Sequence, residues 1–333
     1  MMVLTWPFAI LNSSTGAPSS GVVRGGAPLL TAFALLLGVS AGASAQTVPN
    51  AASVAPAATS APVQVVSAPA TTAQQKAETV AGTQPWQLVA TIKLPNPGLA
   101  SIDRRGTFYV ADADNNVRQF GRDGQPLNTY VPPQPGHVAQ LEAWNLTQTL
   151  LFYDDRQQLV LLDRFMAVIA QIRLADYVPD GTIRTATLAP DGRIWLLDES
   201  TLTLRALNPQ TGLLPQTTPL DLIIGRARPD FRFLRHYQNN LYLVDRTSGI
   251  FVFDNLGNYQ KKLPFPGLSY VGFRGDELYY SDAGGVHFFD LYKLRERQQP
   301  WPATVNGATV RQLLFSEQYA YVITSTGIAI YQL

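Results

Sequence analysis

The chain has 333 residues, which leaves room for one large domain or two ordinary ones. Its 25 Lys and Arg residues balance 24 Asp and Glu residues, so no charge excess indicates a nucleic acid or an anionic membrane surface as the partner. The chain has no Cys and only three His residues. This composition excludes disulfides, Cys nucleophiles and a Cys-linked lipid anchor, and it argues against a His-built zinc site.

Residues 1–45 have the features of a secretory signal peptide. Arg24 precedes the apolar run Leu29–Leu37, and Ala43–Ala45 forms an A-x-A cleavage site. The run is shorter than the roughly 20 apolar residues that span a membrane. We therefore expect cleavage near Ala45, no stable membrane span afterwards, and a periplasmic or secreted protein. A signal anchor that stays in the membrane is the alternative.

Residues 46–82 consist almost entirely of Ala, Pro, Thr, Ser, Val and Gln, with Lys76 and Glu78 as the only charges. Such a segment cannot bury enough apolar surface to offset its chain entropy, so it is predicted to be a disordered linker. The folded domain is expected over residues 83–333. It contains 23 basic and 23 acidic residues and is electrically balanced.

A repeat recurs six times in this domain. The equivalent segments end at positions spaced 42, 44, 47, 37 and 42 residues apart. They are Tyr109–Asp112, Phe152–Asp154, Trp195–Asp198, Tyr242–Asp245, Tyr279–Asp282 and Tyr321–Thr324. Each is followed by a polar turn and a second apolar strand, and another β-like run precedes each pair.

Four short strands in about 40–45 residues is the period of a β-propeller. The sequence therefore predicts an all-β fold, a six-bladed propeller with four-stranded antiparallel blades. The last repeat ends at Leu333 after three strands, while Trp86–Leu94 forms an unassigned strand before the first repeat. We expect Trp86–Leu94 to complete the last blade and close the ring, which removes exposed sheet edges.

The first repeat carries a resemblance to a known family. Tyr109–Asp112, Asn115–Val117, Phe120 and Asp123-Gly124 resemble the NHL repeat, and the match is best in residues 108–124. The resemblance is partial in repeats 4 and 5 and weak elsewhere. It implies a propeller architecture that proteins of very different function share, so it does not assign an activity.

Five of the six repeats end their second strand in Asp: Asp112, Asp154, Asp198, Asp245 and Asp282. A short carboxylate at a strand-to-turn junction accepts backbone N–H bonds within the turn. Because the same position recurs around the ring, these residues are predicted to be structural turn caps. Metal-binding carboxylates are the alternative.

The turns after these residues differ in charge. Three of them add an acid: Asp114, Asp155 and Glu199. Repeat 4 is instead basic, with Arg226, Arg228, Arg232, Arg235 and Arg246 in and around its turns. We expect one face to be acidic over blades 1–3 and basic at blade 4, and these eight residues to be candidates for binding a polar or anionic partner. The alternative is a solvated face whose charges pair with one another.

No catalytic motif is recognisable in the sequence. We therefore expect a non-catalytic scaffold that binds an envelope or extracellular protein or a polar ligand. We expect the protein to be a monomer and not to bind nucleic acid. The alternative is a calcium-dependent hydrolase. The blade number is similar to that of six-bladed lactonases, and this resemblance implies a calcium ion in the central channel. The residues that come nearest to the Glu, Asn and Asp ligands of such enzymes are Glu142, Asn145 and Asp103. A lyase built on NHL-like repeats is disfavoured, since such enzymes use several His on zinc.

Overall fold

The computed structural model describes residues 86–225 and 228–333, together with the backbone of the two-residue strand Glu78–Thr79. The signal peptide predicted for residues 1–45 lies outside the described residues, as does the rest of the linker predicted for residues 46–82. In chain order the strands are β1 (Glu78–Thr79), β2 (Gln87–Lys93), β3 (Ala100–Ile102), β4 (Phe108–Ala111), β5 (Val117–Phe120), β6 (Pro126–Tyr130), β7 (Val138–Glu142), β8 (Gln148–Tyr153), β9 (Gln158–Asp163), β10 (Val168–Arg173), β11 (Ile183–Leu188), β12 (Ile194–Asp198), β13 (Thr203–Leu207), β14 (Gln216–Pro219), β15 (Phe231–Tyr237), β16 (Asn240–Asp245), β17 (Gly249–Asp254), β18 (Tyr259–Leu263), β19 (Gly272–Arg274), β20 (Glu277–Ser281), β21 (Gly285–Asp290), β22 (Glu296–Pro300), β23 (Val310–Phe315), β24 (Tyr319–Thr324) and β25 (Gly327–Gln332).

In the described part of the chain these strands form six antiparallel sheets, the blades of a β-propeller. Blades 1 to 4 are β3–β6, β7–β10, β11–β14 and β15–β18, each in chain order from the innermost strand outward. Blade 5 is β19–β22, with β1 added in parallel to its outer edge. Blade 6 consists of β23, β24, β25 and β2. The six-bladed fold predicted from the repeat is confirmed.

The two middle strands of each blade are the most apolar because both of their faces pack on neighbouring blades. All five residues of β12 are buried, and so are the first five of β17. The outermost strands β6 and β18 have one open edge and are exposed in all but their last residue. Burial thus decreases from the middle of each blade towards its rim.

Blade 6 takes strands from both ends of the domain. Gln87–Lys93 pairs antiparallel with Gly327–Gln332, with Ile92 opposite Ile328. Leu94, just after this strand, is buried with Ile328 and Ile330 of blade 6 and Phe108 of blade 1. Each of the other five apolar clusters likewise joins two adjacent blades.

Within residues 86–225 and 228–333, helical structure is confined to short connections. The described residues contain one α-helix, α1 (Asp221–Ile224), and the 3₁₀ turns Leu174–Asp176 and Gly307–Thr309. In that part of the chain, no helix has the length and apolar character needed to cross a bilayer.

Removing the strand Gln87–Lys93 tests its role in blade 6. A chain that begins at residue 95 loses this strand and the buried side chains of Trp86 and Leu94. Each such side chain is worth about 2–5 kcal/mol, so we expect the melting temperature to fall by on the order of 10 °C relative to a chain that begins at residue 83. Calorimetry of the two chains measures this difference. Equal melting temperatures would show that blade 6 is stable without β2.

Candidate functional site

Two cavities lie at opposite ends of the channel that the innermost strands surround. The first residues of these strands, among them Val138 and Arg311, line a cavity of about 590 Å³, here called the mouth cavity. The last residues, among them Ile102 and Phe315, line a cavity of about 280 Å³, here called the base cavity. The turns between the second and third strands lie at the mouth, since Asp112 and Asp154 also line the larger cavity.

A β-bulge occurs near the start of four innermost strands. The pairing register slips by one residue at Ala139, Arg184, Arg232 and Arg311, in blades 2, 3, 4 and 6. A bulge leaves its extra residue without a ladder partner and re-aims that residue's side chain. All four bulge residues line the mouth cavity, and three of them are Arg. The backbone thereby places guanidinium groups from three separate blades around one opening.

The arginines of the mouth cavity differ in how fully their donors are used. Arg232 and Arg246 both pair with Asp230, at 2.7 and 2.8 Å. Arg184 donates one bond, from Nε to the carbonyl oxygen of Phe231 at 3.2 Å. The side chain of Arg311 is exposed and forms no hydrogen bond or ion pair with any residue that the structure describes. Arg184 and Arg311 therefore retain open donors for a ligand.

Two carboxylates also line the mouth cavity, and both have partners. Asp112 pairs with Arg118 at 2.9 Å, and Asp154 Oδ1 lies 2.8 Å from His137 Nδ1. Both lining acids are thus occupied, as are Arg232 and Arg246 through Asp230, whereas Arg184 and Arg311 keep open donors. The mouth cavity is suited to an anion, whose oxygens match the planar fork of a guanidinium.

The Asp residues that end the second strands accept backbone N–H bonds in the turns that follow. Asp112 Oδ1 accepts from Asp114 and Asn116, each at 3.0 Å. Asp198 and Asp245 accept from the turn and also from the chain leading into the innermost strand, through the N–H groups of Thr182 and Asp230. Asp154 accepts the N–H of the next residue, and Asp282 accepts the N–H groups of the two glycines in its turn.

These bonds also set the ionisation of the turn carboxylates. Burial opposes ionisation of Asp198, but bonds from the Ser200, Thr201 and Arg205 side chains outweigh it and hold the pKa of Asp198 below its usual value. The pKa of Asp112 is lowered in the same way, by Arg118 and Asn116 acting against burial. Both carboxylates are therefore charged and occupied at neutral pH.

The remaining residues of the expected binding face are more dispersed. Arg226 lies outside the described residues, and Arg228 is exposed in the connection into blade 4. The three additional acids, Asp114, Asp155 and Glu199, are exposed and do not line the mouth cavity. Asp155 Oδ2 instead accepts the backbone N–H of His137 at 2.9 Å.

Arg235 requires a correction, because it does not lie on the mouth face with Arg232. It lies three residues further along β15, which is about 10 Å at the usual rise per residue of a strand. There it lines the base cavity. Its guanidinium lies 3.6 Å from Glu142 Oε1. Burial raises the pKa of Glu142, and the charge of Arg235 and a hydrogen bond from Thr187 oppose the rise.

The residues considered as calcium ligands are engaged elsewhere. Asp103 Oδ1 accepts the N–H groups of Arg105 and Thr107, and Asn145 Oδ1 accepts both the N–H and the hydroxyl of Thr147. Among the described residues, no three His, Asp or Glu side chains converge as a metal site would require. The three His residues lie apart along the ring: His137 just before blade 2, His236 in blade 4 and His287 in blade 5.

Arg184 and Arg311 are the site residues that sequence reasoning missed. Each follows an apolar residue at the start of an innermost strand, as Arg232 does. The recurrence of apolar-Arg at one repeat position was therefore a visible signal. The bulge that turns these side chains into one cavity was not visible, because it depends on the pairing register.

No protein-family model matches the chain, and no curated protein matches its sequence. Several solved structures are similar in fold. Virginiamycin B lyase from Staphylococcus aureus is 12% identical, with a TM-score of 0.54 over 74% of this chain and 99% of the lyase. A structural-genomics protein of unknown function from Bacteroides thetaiotaomicron is 11% identical, with a TM-score of 0.55 over 74% of this chain and 72% of that protein. YCF48 bound to D1 peptide is 12% identical, with a TM-score of 0.51 over 77% and 99%. At these identities the likeness shows the propeller fold alone.

Replacing Asp198 by Asn tests the role of the turn carboxylates. Asp198 is fully buried and bonded to Arg205, so we expect a loss of about 2 kcal/mol in unfolding free energy at pH 7. Because folding lowers the pKa of Asp198, its contribution is present above about pH 4 and is lost as the pH falls through the folded-state pKa. The difference between the two proteins should therefore shrink in acid.

Urea unfolding at pH 7 and pH 3 measures both effects. Asp114→Asn is the matched control, because the exposed Asp114 carboxylate accepts no hydrogen bond within the described residues. An Asp198→Asn protein as stable as the control at pH 7 would contradict the structural role.

Proposed function

We propose that the chain is an exported, non-catalytic β-propeller that binds an acidic segment of a protein partner in the cell envelope or outside the cell. The predicted signal peptide supports export, and the predicted linker would let the ring reach a partner at a distance from the N-terminus. The partner's acidic side chains would bind in the mouth cavity.

The observation that carries this proposal is the set of bulge arginines. Arg184, Arg232 and Arg311 come from three blades and share one cavity of about 590 Å³. Guanidinium groups on a rigid ring are held apart at fixed positions, so they favour a ligand that presents several carboxylates over a single small anion. YCF48, a propeller of similar fold, was solved with a peptide bound, which supports a peptide as a suitable type of ligand.

Charge reversal at the mouth tests the proposal. Arg184→Glu with Arg311→Glu changes two exposed or half-exposed side chains that contribute little to the core. We expect binding of a fluorescent glutamate-rich peptide to weaken at least about tenfold, because each reversal replaces an attraction by a repulsion. Fluorescence anisotropy measures the affinity, and binding should also weaken as salt is added.

The control is Arg164→Glu with Arg295→Glu, which changes the net charge by the same amount as the mouth variant. Both residues lie in turns between the third and fourth strands of a blade and do not line the mouth cavity. It should bind the peptide as the unaltered protein does. Affinity capture from the envelope fraction extends the test to the natural partner. A partner retained equally by the mouth variant and by the control variant would overturn the proposal.

Chelation separates this function from a calcium-dependent hydrolase. Glu142 already faces Arg235, and the Asp103 and Asn145 oxygens accept bonds in their own turns. We therefore expect the melting temperatures in calcium and in EDTA to differ by less than about 1 °C, a difference no larger than weak ion binding produces. Calorimetry and elemental analysis of the purified domain measure this. A stoichiometric ion together with a large shift on chelation would favour the hydrolase.

A further inference from the structure

The base cavity has a lining quite different from that of the mouth cavity. Its volume is about 280 Å³, at the lower end of cavities that hold small molecules. Aromatic rings form much of its wall and pack against one another. Trp144 contacts Tyr237 with ring centroids 5.5 Å apart, and Tyr237 stacks on Phe273 at 4.5 Å. Such walls favour a flat, apolar ligand body.

One charged group on this wall has hydrogen-bond donors that the described residues do not use. The Arg235 side chain is only 13% exposed, yet none of its nitrogens forms a hydrogen bond with a described residue. The nearest carboxylate oxygen, Glu142 Oε1, is 3.6 Å away, too far for a good bond, and is itself without a hydrogen-bond partner. The donors of Arg235 are thus available to a ligand.

Two more guanidinium groups lie around the same cavity. Arg104 lies over the Trp144 ring at 3.9 Å, and Arg274 lies 5.3 Å from the centre of the Phe315 ring. Arg274 also donates to the Glu317 carbonyl oxygen at 3.0 Å. Arginine planes that stack on rings extend the flat walls and leave their edges free to donate.

The acids of the cavity are less available than its arginines. Asp103 Oδ1 accepts two backbone N–H groups in its own turn, and Glu317 is exposed at the rim. Glu142 is 1% exposed and does not line the cavity, so Arg235 lies between it and the ligand space. A ligand would meet flat aromatic walls and the unpaired donors of a guanidinium.

We propose that the base cavity binds a small aromatic carboxylate, whose ring packs among Trp144, Tyr237 and Phe273 and whose carboxylate accepts hydrogen bonds from Arg235. An aryl carboxylate combines the two features that the cavity selects for, and its two oxygens match the guanidinium fork. This site is at the other end of the channel from the mouth cavity, so it is independent of the function proposed above.

Titration calorimetry with benzoate, 4-hydroxybenzoate and indole-3-acetate tests the proposal, with benzamide as the uncharged counterpart of benzoate. We expect saturable binding of at least one acid, and benzamide to bind at least about tenfold more weakly than benzoate because a charge-assisted bond is lost. Failure of all three acids to bind at 10 mM, or equal binding of benzamide, would overturn the proposal.

Arg235→Gln alone would leave Glu142 buried and uncompensated, so the informative variant is Arg235→Gln with Glu142→Gln. We expect it to bind the acid at least about tenfold more weakly. Trp144→Leu supplies a second test that keeps the charged pair, and it should weaken binding through lost ring contact. The Arg164→Glu, Arg295→Glu protein is the control, because these two residues line neither cavity, and its affinity for the acid should be unchanged. Unaltered binding in the first two variants would place the acid elsewhere on the molecule.

Discussion

Each innermost strand has a ladder partner on one side only, and its other edge faces the central channel. There, N–H and C=O groups are buried away from bulk water and must find partners among side chains. Gln312 meets this need between blades 6 and 1. Its Oε1 accepts the Ala100 N–H at 2.9 Å, and its Nε2 donates to the Ala100 carbonyl oxygen at 2.8 Å. One amide side chain thus replaces a missing strand.

The same device recurs around the channel. Ser101 Oγ accepts the Ala143 N–H, and Gln140 donates to the Leu234 carbonyl oxygen, so blade 1 is joined to blade 2 and blade 2 to blade 4. Thr187 donates to Glu142 and accepts the His236 N–H. The burial that makes these bonds necessary also lowers the pKa of His236 to about 4, so its ring is neutral at physiological pH. These polar residues hold the blades in register.

The sequence was sufficient for the architecture because the signals that specify a blade are local. An apolar run such as Ile194–Leu197 and a turn Asp such as Asp198 recur at nearly equal spacing, and the hydrogen bonds of Asp198 stay within its own blade. Contacts between blades are not local. The Gln312–Ala100 pair spans 212 positions, and the convergence of Arg184, Arg232 and Arg311 on one cavity depends on bulges in three blades. Neither can be inferred from a repeat unit alone.

The bulges explain how a ring made of similar units carries dissimilar chemistry. A ladder residue in the middle of a blade is confined on both faces, so a charged side chain there would be buried and costly. A bulge residue is released from the ladder, and Arg184, Arg232 and Arg311 occupy such positions, where a guanidinium costs the blade little. Ala139 occupies the same position in blade 2 without a charge. The chemistry of the mouth can therefore change from blade to blade while the bonds that hold the ring together stay the same.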